Sequence, residues 1–324
     1  MLEPLVALDD LRRAADQRQA AAITALAKRL LIGSDAPFSP AEGLERLAEA
    51  EALGDHEAPA IAATLAAAGA WRRQSWTEAF DLLATAAERG STLAREQLRL
   101  LTGASGTAWR AMASRIDVGF WLAPPPRTPI CETPRIRVAP AFVPPAICDW
   151  LVARNRNKVR PAKMVDSYGA TPRFTGDRTN SDYVVDIVNA DVVLTLVRAR
   201  LSVFVNLPTI GFEPPQVLHY SPGQVLKPHF DFLRRGPNDV AAANDGDRIL
   251  TALIYLNDNY EGGETDFPRA GVRYKGAKGG AIAFANVDAA GRPDPMTLHA
   301  GLPPSRGEKW LLSQWIRDRP IAAG

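Results

Sequence analysis

Between about residue 20 and residue 105 the apolar positions recur at helical spacing, in alanine- and leucine-rich blocks such as "GLERLAEAEALGD" and "AFDLLATAAERG". The pattern itself repeats with a period of 36: Gly33 with Gly69, Gly54 with Gly90, Leu47 with Leu83, and Ala22 with Ala58 and Ala94. Ser39 and Ser75 keep the same interval, and each is followed three residues later by a glutamate, Glu42 and Glu78. "SPAE" and "SWTE" therefore read as capping boxes, in which the serine side chain accepts from an early helix amide and the glutamate reaches back to the serine amide. The glycines fall where helices stop, since the residue after the last turn is often left-handed. Gly106 comes one residue late for the series, so the period fades at its C-terminal end. Small alanines let helices approach closely, and the reading is a solenoid of helix pairs over residues 1–122, against the alternative of an ordinary alanine-rich bundle. About two and a half repeats are visible, where solenoids usually need three or more, so the region is expected to lean on the rest of the chain.

The texture changes at "APPPRTPICETP", residues 123–134, which is rich in proline and reads as a linker. Beyond it, over residues 135–320, "RIRVAPAFVP" alternates like a strand, and "PAICDWLVARNRNKV" and "ADVVLTLVRARLSVFVNL" read as helices. From residue 215 short alternating segments predominate: "QVLHYSPGQ", "RILTALIYLND", "GGAIAFANVD", "MTLHAGLPP" and "KWLLSQWIRD". Several short strands between turn signals predict a β-sandwich or barrel. The polar stretch 234–247, "RRGPNDVAAANDGD", reads as a long loop or a lid between two of these strands.

Composition narrows the class. Of 324 residues, 46% are apolar and 23% charged, as in a soluble globular protein, and the net charge is only +2. No run of five or six basic residues occurs, which argues against a nucleic-acid partner. Cys131 and Cys148 follow no metal-binding spacing. Two cysteines, no secretory pattern at the start and no apolar stretch long enough to cross a bilayer point to a cytoplasmic location and no membrane.

The chain has four histidines, and one stands in "KPHFDFL". On a strand His229 and Asp231 would share a face, with Phe230 turned to the opposite layer. The two can reach one divalent cation, and a further histidine would complete a set. His56 lies in a repeat and His219 only ten residues upstream, so His299 is the better candidate. Two histidines and a carboxylate form the facial triad of non-haem iron oxygenases. His-x-Asp alone is a weak signal, and such triplets also arise as satisfied strand polars. Lys309 follows His299 by ten residues, with a turn between. A hairpin through that turn would set the lysine on the strand beside the histidine, pointing inward with Leu311 and Ser313. A lysine so placed is costly unless it meets an anion, which an acidic co-substrate would supply.

The helical part resembles the Sel-like and tetratricopeptide repeat families. The segments "LHYSPGQVLKPHFD", "RILTALIYLND", "GGETDFP" and "LHAGLPPSRGEKW", in that order, resemble the prolyl 4-hydroxylase-like dioxygenases dependent on Fe(II) and 2-oxoglutarate. The resemblance implies a double-stranded β-helix (jelly-roll) oxygenase domain with supporting helices after the helical solenoid. It implies His229, Asp231 and His299 as iron ligands, and Lys309 paired with the distal carboxylate of 2-oxoglutarate. Tyr255 matches a tyrosine at that same end, and Tyr220 and Thr251 match pocket positions. Arg178 and Trp310 are candidates for contact with the substrate. Leu226 stands where prolyl hydroxylases often carry a tyrosine, and this departure bears on the prime substrate. The implied reaction consumes O2 and 2-oxoglutarate, releases succinate and CO2, and hydroxylates an unactivated C–H bond, with ascorbate as a reductant.

The leading expectation is hydroxylation of a prolyl residue in a peptide or protein, with the repeats helping to hold that chain or a protein partner. The alternative enzyme acts on a free amino acid or small metabolite. A non-catalytic repeat scaffold with a degenerate barrel would have lost a ligand or the lysine, and neither is lost. A zinc hydrolase would leave Lys309 without a role.

Overall fold

The alanine-rich blocks form helices α1 (Leu8–Asp16), α2 (Ala20–Ile32), α3 (Pro40–Ala52), α4 (Ala58–Ala68), α5 (Trp76–Glu88), α6 (Thr92–Thr102), α7 (Trp109–Ala113) and α8 (Val118–Leu122). The structure, a computed structural model, describes residues 7–164, 173–232 and 246–321. The chain divides into two compact units, one made of the N-terminal helices with Asp186–Ala199, the other of Ala123–Val185 with Arg200–Ile321.

In the helical unit α3 and α5 begin 36 residues apart. Gly33 and Gly69 follow α2 and α4 with φ of 66° and 68°, a left-handed geometry that costs a residue with a Cβ. The third helix of this series, α6, ends at Gly103 rather than Gly106, so the repeat shortens instead of lengthening. The capping boxes are only partly formed. Ser75 accepts from the Glu78 amide at 3.2 Å, whereas the Ser39 side chain makes no capping bond. Neither glutamate is needed at the serine amide, because Ser39 donates to the Leu30 carbonyl and Ser75 to the Ala66 carbonyl, each at 2.9 Å. Glu42 and Glu78 instead face Arg46 and Arg72. The core of this unit collects Ile23, Leu26, Leu30, Leu31, Leu47 and Leu65 together with Val188. Gln97 Oε1 accepts from the Val192 amide at 3.0 Å. The later segment Asp186–Ala199 thus supplies the extra cover that so few repeats require.

The second unit carries strands β1 (Thr128–Cys131), β2 (Ile136–Ala139), β3 (Arg160–Pro161), β4 (Ser181–Val184), β5 (Gln216–Tyr220), β6 (Leu226–His229), β7 (Arg248–Tyr255), β8 (Glu261–Gly262), β9 (Thr265–Phe267), β10 (Val272–Tyr274), β11 (Ala281–Ala285), β12 (His299–Gly301), β13 (Pro304–Arg306) and β14 (Lys309–Arg317). Helix α9 (Pro145–Asn155) supports them, and α10 (Val192–Val205) follows β4 in the chain. The large sheet has the order β1-β2-β11-β7-β14-β5-β4-β3, the small one β10-β9-β12-β6, and β13 pairs with β8. All the pairings are antiparallel. Inner-face residues Ile136, Leu218, Leu253, Ile282, Phe284 and Leu311 of the large sheet meet Phe267 of the small one. The Phe267 and Phe284 rings pack edge to face at 5.0 Å, a favoured aromatic geometry. This is the double-stranded β-helix expected of the C-terminal half.

Two expectations change. The proline-rich stretch 123–134 contributes β1, which pairs with β2 at the edge of the large sheet, where a proline costs no ladder bond in the interior. Lys309 and His299 are not on neighbouring strands. Residues 302–308 cross between sheets, β13 pairing with β8 on the way, so β12 joins the small sheet and β14 the large one. The stretch 234–247 falls mostly outside the described residues, which resume at 246.

Because Ser75 caps α5 and Ser39 does not cap α3, Ser75→Ala should lower stability by about 1 kcal/mol while Ser39→Ala stays within about 0.5 kcal/mol, as read from urea denaturation midpoints.

Candidate active site

His229 ends β6 and His299 opens β12, and antiparallel register sets them directly opposite each other. Their rings lie 4.3 Å apart, centroid to centroid. The strand stops at His229, so Asp231 reaches the same point from the bend that follows rather than by strand alternation. For the same reason Phe230 does not turn to the opposite layer; it stacks on Phe232 at 4.6 Å and lines the cavity. The ligand atoms of His229, Asp231 and His299 all fall within 4.8 Å of one another. Each histidine Nε2 is 3.5 Å from a different Asp231 oxygen.

The surroundings orient these donors. His229 Nδ1 lies 2.9 Å from the Lys227 carbonyl and His299 Nδ1 3.0 Å from the Thr297 carbonyl. A carbonyl only accepts, so each Nδ1 carries the proton and each Nε2 turns its lone pair inward. Burial, with His229 beside it, pushes His299 down to about 4, so the imidazole is neutral at physiological pH. Burial alone would raise Asp231. The Thr251 hydroxyl, which donates to Oδ2 at 2.7 Å, favours the carboxylate, and the carboxyl is held well below the usual carboxylate range. Asn286 Nδ2 in turn donates to Thr251 at 3.0 Å. Two imidazole nitrogens and one ionised carboxylate, on one side of an opening, suit a divalent iron.

The triad faces a cavity of about 1000 Å³ lined by both sheets. Along β14 the residues Lys309, Leu311, Ser313, Trp315 and Arg317 point into it, as period-2 alternation requires. Lys309 is fully buried, and its Nζ has no hydrogen-bond partner among the described residues. The ammonium lies 5.1 Å from the Tyr220 ring centroid. Burial pushes it down to about 7, although Glu264 pulls the other way. Gly301 lines the wall beside it, and a Cβ there would come within 3.0 Å of Tyr220 Oη. That close approach is what a glycine permits.

Several expected residues take other positions. Thr251 lines the cavity, and its hydroxyl donates to Asp231 and accepts from Asn286. Tyr255 stands behind the wall, its hydroxyl taken by Thr265 at 3.0 Å and by the Tyr274 carbonyl at 3.3 Å. Thr265, inside "GGETDFP", is the residue that reaches the cavity. Strand alternation with Phe267 could have identified it. Trp310 is excluded by the same alternation that turns Lys309 inward; it packs on His219 at 4.3 Å on the other face. His56 is exposed and belongs to the helical unit. Arg178 and Leu226 do line the cavity, and Arg178 binds Asp182 at 2.7 Å. Unforeseen were Gln216, Trp315 and the arginines at the far end, where Glu213 is clamped by Arg248 at 2.7 and 2.8 Å and by Arg317 at 2.8 Å.

Comparison with known proteins adds a family. A model of the 2OG-Fe(II) oxygenase superfamily matches residues 215–317, the span from β5 to β14. The chain is 31% identical over 207 residues to prolyl 4-hydroxylase 1 of Arabidopsis thaliana, covering 58% of this chain and 70% of that protein. Among solved structures it is similar to the 2OG complex of a viral collagen prolyl hydroxylase from Paramecium bursaria Chlorella virus-1, at 27% identity and a TM-score of 0.45 over 58% of this chain and 98% of that one. It is also similar to a Sel1 repeat protein from Oxalobacter formigenes, at 26% identity and a TM-score of 0.28 over 33% of this chain and 87% of that one.

Since Thr251 is, among the described residues, the hydroxyl bonded to Asp231, Thr251→Val should weaken Fe(II) binding by about 10-fold or more while leaving His229, Asp231 and His299 in place, as measured by metal titration under anaerobic conditions.

Proposed function

We propose that this chain, which belongs to the prolyl 4-hydroxylase family of 2-oxoglutarate- and Fe(II)-dependent oxygenases, hydroxylates a prolyl residue within a peptide or protein. The observation that carries the reading is the pairing of a three-ligand site with a buried, unpartnered Lys309 on the facing wall of one cavity. His229, Asp231 and His299 are the residues we assign to Fe(II), and Lys309, with Tyr220 and Thr265 beside it, to the distal carboxylate of 2-oxoglutarate. When bound, iron supplies the coupling of O2 and 2-oxoglutarate to C–H oxidation, one oxygen atom entering the product and the other succinate, with CO2 released.

The chain's own residues have three tasks in this reaction. The carbonyls behind the two histidines keep their lone pairs aimed at the metal. Lys309 holds an anion that a neutral pocket would not retain. Leu218, Leu253 and Leu311 give the cavity an apolar floor that limits water near the reacting bond. At about 1000 Å³ the cavity is at the upper end of the range for small-molecule sites, which supports a substrate larger than a free amino acid. Ascorbate belongs to this reading as a reductant for oxidised iron. The helical repeats are proposed to engage the protein that carries the target or a separate partner. No helix among the described residues is long and apolar enough to cross a membrane, and both cysteines are free thiols, as suits a reducing compartment.

The test is succinate release by Fe(II)-loaded protein with 2-oxoglutarate and O2, comparing proline-containing peptides with free amino acids. Stimulation by the peptides is expected; stimulation only by a free amino acid would move the enzyme to small-molecule hydroxylation. His229→Ala or Asp231→Ala should reduce turnover at least 100-fold, since either removes a third of the ligand set.

Lys309 gives a pH dependence of definite sign. With its value near 7 the ligand-free protein carries this charge below about pH 6 and loses it above about pH 8. A dicarboxylate binds the cation, so its affinity should be flat at low pH and fall about tenfold per unit above pH 7. Calorimetry at pH 8 in buffers of different ionisation enthalpy should show uptake of about one proton on binding. Lys309→Met should abolish both the uptake and the pH dependence.

A further inference from the structure

The reverse face of the large sheet carries a second hollow, of about 330 Å³, which the reaction above does not use. Strand alternation builds it. Ile136, Leu253, Ile282 and Phe284 turn into the core, so Arg135, Arg137, Leu250, Ala283 and Ala285 turn the other way and line the hollow. Register brings small residues beside the cations. Arg137 is opposite Ala283, the Arg135 carbonyl accepts from the Ala285 amide at 3.1 Å, and Ala285 is opposite Leu250. Alanine is an uncommon choice in a strand, and two on one face leave room that branched side chains would fill. Phe204 and Val205 at the end of α10, with Leu207 beyond it, complete the apolar part of the lining. All of these residues belong to the second unit.

Two properties distinguish this hollow from ordinary sheet surface. Its apolar lining is left partly open, since Val205, Leu207, Ile249, Leu250 and Val287 are each only half-buried. Its charge is of one sign: Arg127, Arg135 and Arg137 line it, and no acidic residue does. Arg135 is exposed, and its guanidinium has no hydrogen bond or ion pair among the described residues. Arg127 is exposed too and donates from Nη1 to the Phe204 carbonyl at 3.2 Å, which is not a counter-ion. Arg137 has a carboxylate, Glu132 at 2.8 Å, but that side chain is 71% exposed and such pairs are weak. A guanidinium meets a carboxylate or phosphate through two parallel N–H donors. Unpaired forks around an uncovered apolar floor match a molecule with a compact anionic head and a short apolar body. No nucleophile, general base or metal-ligating side chain lines the hollow, so its chemistry is that of binding.

We propose that this hollow binds a small amphipathic anion, a carboxylate or phosphate monoester with an aliphatic body of about eight carbons, as suits a volume at the lower end for small-molecule sites. Arg135 and Arg127 take the anionic head, and Ala283, Ala285 and Leu250 receive the aliphatic body. The site is separate from the cavity that holds the triad. Leu250 and Ala285 immediately precede Thr251 and Asn286, which bond each other, and Thr251 bonds Asp231. The ligand thus lies against the reverse of the two strands that carry these residues.

The test is calorimetric titration of the full chain with octanoate, octyl phosphate, uncharged 1-octanol and acetate. At least one of the two octyl anions should bind with a Kd of about 0.1 mM, and octanol and acetate at least about tenfold more weakly. The tighter of the two anions identifies the head group. Arg135→Gln should raise that Kd about tenfold. Ala283→Leu, which fills the hollow and leaves every arginine in place, should abolish binding, with circular dichroism checking that each variant is folded. Lys309→Met and saturating 2-oxoglutarate should leave the titration unchanged, which separates this site from the cavity. Failure of both octyl anions to bind overturns the proposal, and so does octanol binding as tightly as they do. Binding that Arg135→Gln leaves within about twofold, or that Lys309→Met abolishes, overturns it as well. None of these outcomes bears on prolyl hydroxylation, which succinate release tests separately.

Discussion

Charge inside a sandwich of aliphatic and aromatic side chains is the constraint on which the catalytic half of this protein depends. Asp231 and Lys309 are both almost wholly removed from solvent, and an unpaired buried charge is among the most expensive features a fold can keep. The structure resolves the two cases differently. Asp231 receives a hydrogen bond from within, from the Thr251 hydroxyl that is itself held by Asn286. Lys309 is left without a hydrogen-bond partner among the described residues, beside Tyr220, Gly263 and the apolar floor. A group bonded by the protein is fixed in place, as a carboxylate that could hold a metal ion must be. A group left uncompensated is kept for something that arrives.

Sheet geometry is what turns this electrostatic demand into positions. On β14 every second residue faces the cavity, so a single strand carries the buried cation, an apolar step, a hydroxyl, an indole and an arginine in sequence. On β5 Gln216, Leu218 and Tyr220 do the same, while His219 is turned away to stack on Trp310. The small sheet contributes less area but the essential register, His229 opposite His299, with Phe267 and Phe284 flanking the His299 ring. Neither sheet contains a complete site.

The helical unit follows a different logic. Its 36-residue period is a record of local rules, glycine after a helix and serine before one, and these survive in the structure at Gly33, Gly69 and Ser75. Where local rules meet packing, packing prevails: the serine amides go to the carbonyls of Leu30 and Ala66. Alanine-rich faces bury little area each, and Val188, more than a hundred residues after the repeats begin, completes the core.

Much of the candidate site was legible in the chain. The triad and the lysine were identified because their spacing sits in four ordered segments, and because a cation among alternating apolar residues has few explanations. Inward-facing Leu311 and Ser313 followed from period 2 alone, and so would Trp315, Arg317 and Thr265 have done. What sequence determined by itself is therefore which residues share a face of one element, since backbone geometry sets that without reference to any neighbour. Only the tertiary structure decided which elements face each other. Lys309 reaches the cavity from the sheet opposite His299, Tyr255 stands one layer back, and Thr251 serves Asp231, because strand partners are chosen by the burial of whole faces across distant segments. That choice is a property of the assembled core and of no single segment in it.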